Sequence, residues 1–165
     1  MTSLKILDIK SFMSKLLIKE TFDHFLLLEA GITTFNSFFI DGHLHKDYYS
    51  KEELECKHLT ECPLSYWSQL RPFCFELIKG KRTPLSFKIV FQLSADNTGK
   101  LMAQVGQSYS VTDINGFFLT LKYDEKGLSC TTGTSIKIFT LDKSLENVWD
   151  EMMREFMVRN EIPFE

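Results

Sequence analysis

Between Leu85 and Ser94 apolar and polar residues alternate, with Phe87, Ile89, Phe91 and Leu93 on one side. Successive strand side chains point to opposite faces, so the stretch predicts a β-strand with one buried face. Similar content predicts a first strand over 4–9 (LKILDI) and two strands around a turn at Ala30 and Gly31 in FDHFLLLEAGITTFNSFFIDG. Three more follow, in GFFLTLKYD, LSCTTG and SIKIFTL. Elsewhere the period becomes helical. Phe12, Met13, Leu16 and Leu17 fall at helical spacing, and Ser50 with Glu53 makes a capping-box pattern. SYWSQL predicts a short helix; Pro72 suits the first turn of another, PFCFELIKGK, which Gly80 ends. Ser94 or Asp96 caps a helix in SADNTGKLMAQV. Between Asp142 and Asn160 the residues Leu145, Val148, Trp149, Met152 and Phe156 form one apolar stripe, with Pro163 beyond its end.

These elements predict an α+β fold, an antiparallel sheet with helices packed on it, in a single domain over 1–165. Strand, helix and strands at 4–46 recur at 85–141, which predicts an internal duplication around a helical insert at 48–82, with a C-terminal helix at 142–160. At 165 residues, 44% hydrophobic and rich in Phe, the chain is long enough for one well-buried core and short for two. A net charge of -3 argues against binding nucleic acid over the whole surface and leaves room only for a local basic face. The first residues, MTSLKILDIK, lack the apolar core of a signal peptide, and no apolar run is long enough to span a membrane. The expectation is a cytoplasmic protein whose cysteines are thiols.

Candidate chemistry concentrates in the first half. FFIDGHLHKD, Phe38 to Asp47, puts His43 and His45 on one strand face, together with Asp41 and Asp47. Amidohydrolase-type barrels present their first two metal ligands in this way. Such barrels need about 250 residues, and all four histidines here, His24, His43, His45 and His58, lie in the first 58 positions. That excludes the barrel. A smaller zinc site remains, with Cys56, His58 and Cys62 joining His43 and His45, since zinc accepts such nitrogen and sulfur ligands in a tetrahedron. Against it, Cys56 and His58 diverge by about 200° around a helix axis; the competing reading is ordinary strand-end and helix residues, with no cofactor. No G-x-S-x-G, P-loop or G-x-G-x-x-G occurs. Cys74 and Cys130 sit among apolar residues and predict core thiols, while KEELE and DEMMRE read as solvated helix faces. Tyr48, Tyr49, Tyr66, Trp67 and Arg71 fall in the insert; aromatics and arginines outside core strands are enriched at protein interfaces, the alternative being a lid on the sheet.

FQLSADNTGKLM followed by INGFFLTLKYDEKGLSCTTGTSIKIF resembles a half-domain of the DNA sliding clamps. In that family a strand and helix precede a hairpin, and a final strand follows a polar-glycine step, here Thr131, Thr132 and Gly133. Clamp subunits string two or three such domains into a ring, whereas this chain has room for one plus extra helices. The whole chain also resembles a small family of uncharacterised bacterial proteins. The clamp resemblance implies sheets joined edge to edge and helices that face DNA. Lys10, Lys15 and Lys19 are the basic residues placed for that, with Lys79, Lys81 and Arg82 of KGKR as a second cluster. The alternative role of that cluster is to complement a helix C-terminus. Fold analogy alone does not give function. The reading is of a non-catalytic binding or assembly module, homo-oligomeric and working through protein contacts. A DNA-associated module is one alternative, and a small zinc protein or metal-dependent hydrolase the other.

Overall fold

The computed structural model describes residues 1–106 and 108–165. Within them the chain runs β1 (Ser3–Lys5), α1 (Ile9–Leu17), β2 (Leu26–Thr33), β3 (Ser37–Asp41), α2 (Lys51–Cys56) and α3 (Trp67–Ile78). It continues through β4 (Ser86–Gln92), α4 (Ala95–Val105), β5 (Ile114–Asp124), β6 (Gly127–Ile136) and α5 (Ser144–Arg159). The strands form one antiparallel sheet in the order β1-β6-β5-β4-β2-β3, so the fold is α+β.

The alternation in β4 sets the layers. Ile89 stands between Ala30 of β2 and Leu121 of β5, and Leu121 faces Cys130 of β6, which faces Leu4 of β1. This row shares one buried core with Phe12 and Leu16 of α1, Trp67 and Cys74 of α3, Leu101 of α4 and Trp149 of α5. Four helices therefore cover one sheet face. The opposite face carries Lys5, Ser129, Lys122 and Lys88 in a row across four strands. On that face Val90 is nevertheless buried, and with Leu26, Leu59 and Leu64 it lies outside the main core. The segment after β3 reaches there: His43 bridges Leu64, and Leu26 bridges Tyr66.

Several expected boundaries move. The first strand ends at Lys5, because Asp8 accepts a hydrogen bond from the Ser11 N–H and starts α1 at Ile9. Ala30 and Gly31 are strand interior, not a turn: Ala30 is buried between Ile40 and Ile89, and the chain reverses at 34–36. The two helices expected around Pro72 are one, α3. Pro72 is exposed, and the hydrogen bond it cannot donate faces solvent, not core. Beyond β5 there is one long strand where two were expected; Thr131, Thr132 and Gly133 pair with Thr120, Leu119 and Phe118 inside β6 and form no step. The chain after Ile136 leaves the sheet with Phe139 and Leu141 exposed. The orders β1-α1-β2-β3 and β4-α4-β5-β6 do match around the insert, yet β1 lies at the sheet's edge while β4 lies between β2 and β5.

Candidate functional site

Gly42 explains the geometry of FFIDGHLHKD. Its N–H bonds the Leu28 carbonyl and its own carbonyl accepts from Ser65, so the chain crosses β2 at the bulge between Leu27 and Glu29. Just before it, Asp41 Oδ1 accepts from both the backbone N–H of His43 (3.0 Å) and its ring Nδ1 (2.6 Å). Both bonds hold the Asp41 carboxyl below its ordinary range, the backbone one more strongly. His45 precedes a short 3-10 turn. His58 has a different task. It adopts φ 55° just past α2, its N–H bonds Glu55 O, and the next N–H, of Leu59, bonds Leu54 O. This is a Schellman cap with histidine in the position that usually takes glycine. Cys56 is exposed, and Cys62 donates its thiol to Leu64 O. His43, His58 and Cys62 thus serve separate local roles, His45 and Cys56 join none of them, and among the described residues no three His, Cys, Asp or Glu side chains converge on a metal-sized site.

The other sequence candidates separate into structural and free residues. Trp67 is fully buried and donates Nε1–H to Leu16 O at 2.9 Å. One turn on, Arg71 pairs with both carboxylate oxygens of Asp23 at 2.9 Å and donates to Ile18 O. Two expected interface residues therefore grip the carbonyl end of α1. Tyr66 leads into α3, while Tyr48 stays exposed with its ring edge-on to Tyr49, over which Lys57 sits. Of the basic residues, Lys15 bonds Ser11 and Glu161 O, and Lys79 pairs with Glu76. Lys10, Lys19, Lys81 and Arg82 are exposed. Lys10 and Lys15 point about 140° apart around α1, so the expected lysines do not line one face.

The two sheet edges are treated unequally. Outside β1 lies the C-terminal segment: Lys5 and Glu165 exchange backbone hydrogen bonds, Ile6 bridges Phe164, and Leu7 N–H bonds Pro163 O. Outside β3 no backbone pairing occurs among the described residues. The bonds Thr34 N–H to Asn36 O and Gly42 N–H to Leu28 O bracket the β2–β3 ladder and set its phase. Antiparallel ladders alternate, so Phe38 and Ile40 turn their backbone groups toward β2, while Ser37, Phe39 and Asp41 turn theirs outward. Phe39 is 68% exposed, and nearby Phe35 is 87% and Leu85 71% exposed.

A cleft of about 700 Å³ opens on the helical layer between α4 and α5. Tyr109, just past α4, hydrogen-bonds Thr140 and the Asp142 carbonyl just before α5, so the two helices run antiparallel. The floor is apolar: Phe25, Leu93, Val148, Met152 and Phe156, with the Phe25 and Phe156 rings edge-to-face at 5.7 Å. Asn97, Lys100 and Gln104 line the α4 wall, and Glu151, Glu155 and Arg159 the α5 wall, with His24 between. Sequence reading missed this site. Its only local signal was the spacing of Glu151, Glu155 and Arg159 at successive turns beside the apolar stripe.

Burial, by contrast, removes two thiols from any chemistry. It pushes Cys74 up to about 12 and Cys130 higher still. A thiol-reactive disulfide reagent added to native protein should therefore titrate exposed Cys56 first and Cys62 next, while Cys74 and Cys130 respond only after denaturation. Rapid reaction of all four in the folded protein would contradict this core.

Residues 15–165 match the model of one protein family, described as a family of unknown function (DUF5721). No curated protein and no solved structure matches the chain.

Proposed function

The chain belongs to DUF5721, a family of unknown function, and from that starting point we propose that it is a non-catalytic assembly module whose sheets join edge to edge through β3 in a homo-oligomer. The observation that carries this reading is the contrast between a β1 edge covered by the chain's own C-terminus and a β3 edge left open and apolar. Open edges are pairing templates, and folds that avoid pairing blunt them with charge, proline or cover. β3, SFFID, has no lysine and no proline. Its outward groups also suit a second copy. When two β3 strands pair antiparallel about Phe39, Ser37 meets Asp41 and Phe39 meets Phe39, and all three residues already point outward. The one charge on the strand, Asp41, then faces serine and not its own copy. Phe39 beside Phe39 on the open sheet face adds an aromatic cross-strand pair. Edge-to-edge joining is also the one part of the clamp resemblance that this reading uses.

Light scattering behind size exclusion tests it. The expected mass is twice the 19.2 kDa chain at high concentration, falling on dilution. Phe39→Lys, which sets like charges opposite each other, should yield a monomer with an unchanged thermal midpoint. A wild-type monomer at every soluble concentration would overturn the reading, as would a Phe39→Lys protein that still dimerises.

A further inference from the structure

We propose that the cleft between α4 and α5 is a binding site for a small amphipathic anion, an aromatic or acyl body carrying one carboxylate or phosphate-type head. Phe25, Leu93, Val148, Met152 and Phe156 form an apolar bed continuous with the core, and sites for small molecules are typically concave, apolar and of this size, with a few polar groups that fix orientation. The walls then choose the head. Because α4 and α5 are antiparallel, Asn97 in the first turn of α4 lies at the end of the cleft occupied by Arg159 in the last turn of α5. His24 stands beside Phe25 at that same end. In this register Arg159, His24 and Asn97 mark one end, Lys100 and Glu155 share the middle with Glu155 one turn from Arg159, and Glu151 lies with Gln104 at the far end.

The charges are also unspent. Glu155 and Arg159 are four residues apart, the helical spacing that closes an ion pair, yet no ion pair among the described residues includes either of them, Lys100 or Glu151. A guanidinium left unpaired above an apolar floor is positioned for a bidentate oxyanion. An anionic head at Arg159 and His24 lays its body along Phe156, Met152 and Val148, with Lys100 flanking. A cationic head at that end would meet the Arg159 guanidinium, with Glu155 one turn away as its counter-charge.

Calorimetric titration with decanoate, decyl phosphate, decylamine and decanol, each below its micelle-forming concentration, separates the outcomes. Saturable binding of decanoate or decyl phosphate is expected, weakened by about tenfold or more in Arg159→Ala, and the tighter of the two assigns the head. Val148→Trp, which fills the floor, should abolish binding of both while leaving the far-ultraviolet spectrum unchanged. Three results would each overturn the proposal: no saturable binding by either anion, decylamine or decanol binding as tightly as the anions, or anion binding indifferent to Arg159→Ala. None of these groups belongs to β3, so a dimerisation test on Phe39→Lys gives an independent answer.

Discussion

Gly42→Ala is expected to remove about 4 kcal/mol of stability, a loss in the range reserved for backbone strain and core disruption. A Cβ at that position falls 1.8 Å from the Leu27 carbonyl oxygen and 2.6 Å from its carbon. Both are main-chain atoms of β2 at its bulge, so no side chain can swing aside. Relief requires the chain after β3 to part from β2, which breaks the Gly42–Leu28 and Ser65–Gly42 backbone bonds together. Those bonds seat the segment that buries Leu26 and Leu64. Small domains hold only about 5–15 kcal/mol in total, so the urea midpoint should fall steeply. Gly31→Ala is the control: a Cβ there meets nothing within 4 Å, and stability should change by less than about 1 kcal/mol. Equal midpoints for the two variants would refute the close approach.

The glycine also shows what the sequence could and could not disclose. Local patterns were legible. The alternation of Phe87, Ile89 and Phe91 is the buried face of β4, and the capping box of Ser50 and Glu53 is present with both of its bonds. Each of these is fixed by neighbours a few residues away. The misplaced elements were fixed by distant ones. Ala30 and Gly31 carry a turn composition, yet Ile40 and Ile89 bury Ala30 in a strand interior. His58 read as a ligand because Cys56 and Cys62 lie beside it in sequence; caps of its kind usually take glycine, so only its backbone conformation reveals the task. The cleft was hidden for the same reason. Its walls lie on two helices joined through β5 and β6, and Glu151, Glu155 and Arg159 read alone are a solvated face. Only the antiparallel packing of α4 against α5 sets that exposed face at the rim of a cleft floored by Phe25 and Phe156.

Trp67→Ala should cost about 4 kcal/mol, the range for emptying a buried tryptophan site. The indole is fully buried, its ring stands edge-on to Phe91 at 5.1 Å, and its N–H holds Leu16 O. It therefore joins the insert, the sheet and α1 at one point, and Arg71 repeats the grip one turn later through Asp23 and Ile18 O. Trp67→Phe separates packing from the hydrogen bond. It keeps most of the ring contact but leaves the Leu16 carbonyl without its partner, so a loss of roughly 2 kcal/mol is expected. Chemical denaturation with matched slopes measures both. The pair of variants also decides between the two roles that tryptophan could hold. As a core tie, Trp67→Phe lowers the midpoint and leaves the mass in solution untouched. As a partner contact, it would instead lower association while the midpoint held, and that outcome would return Trp67 to the surface and put the packing of α3 on α1 in error.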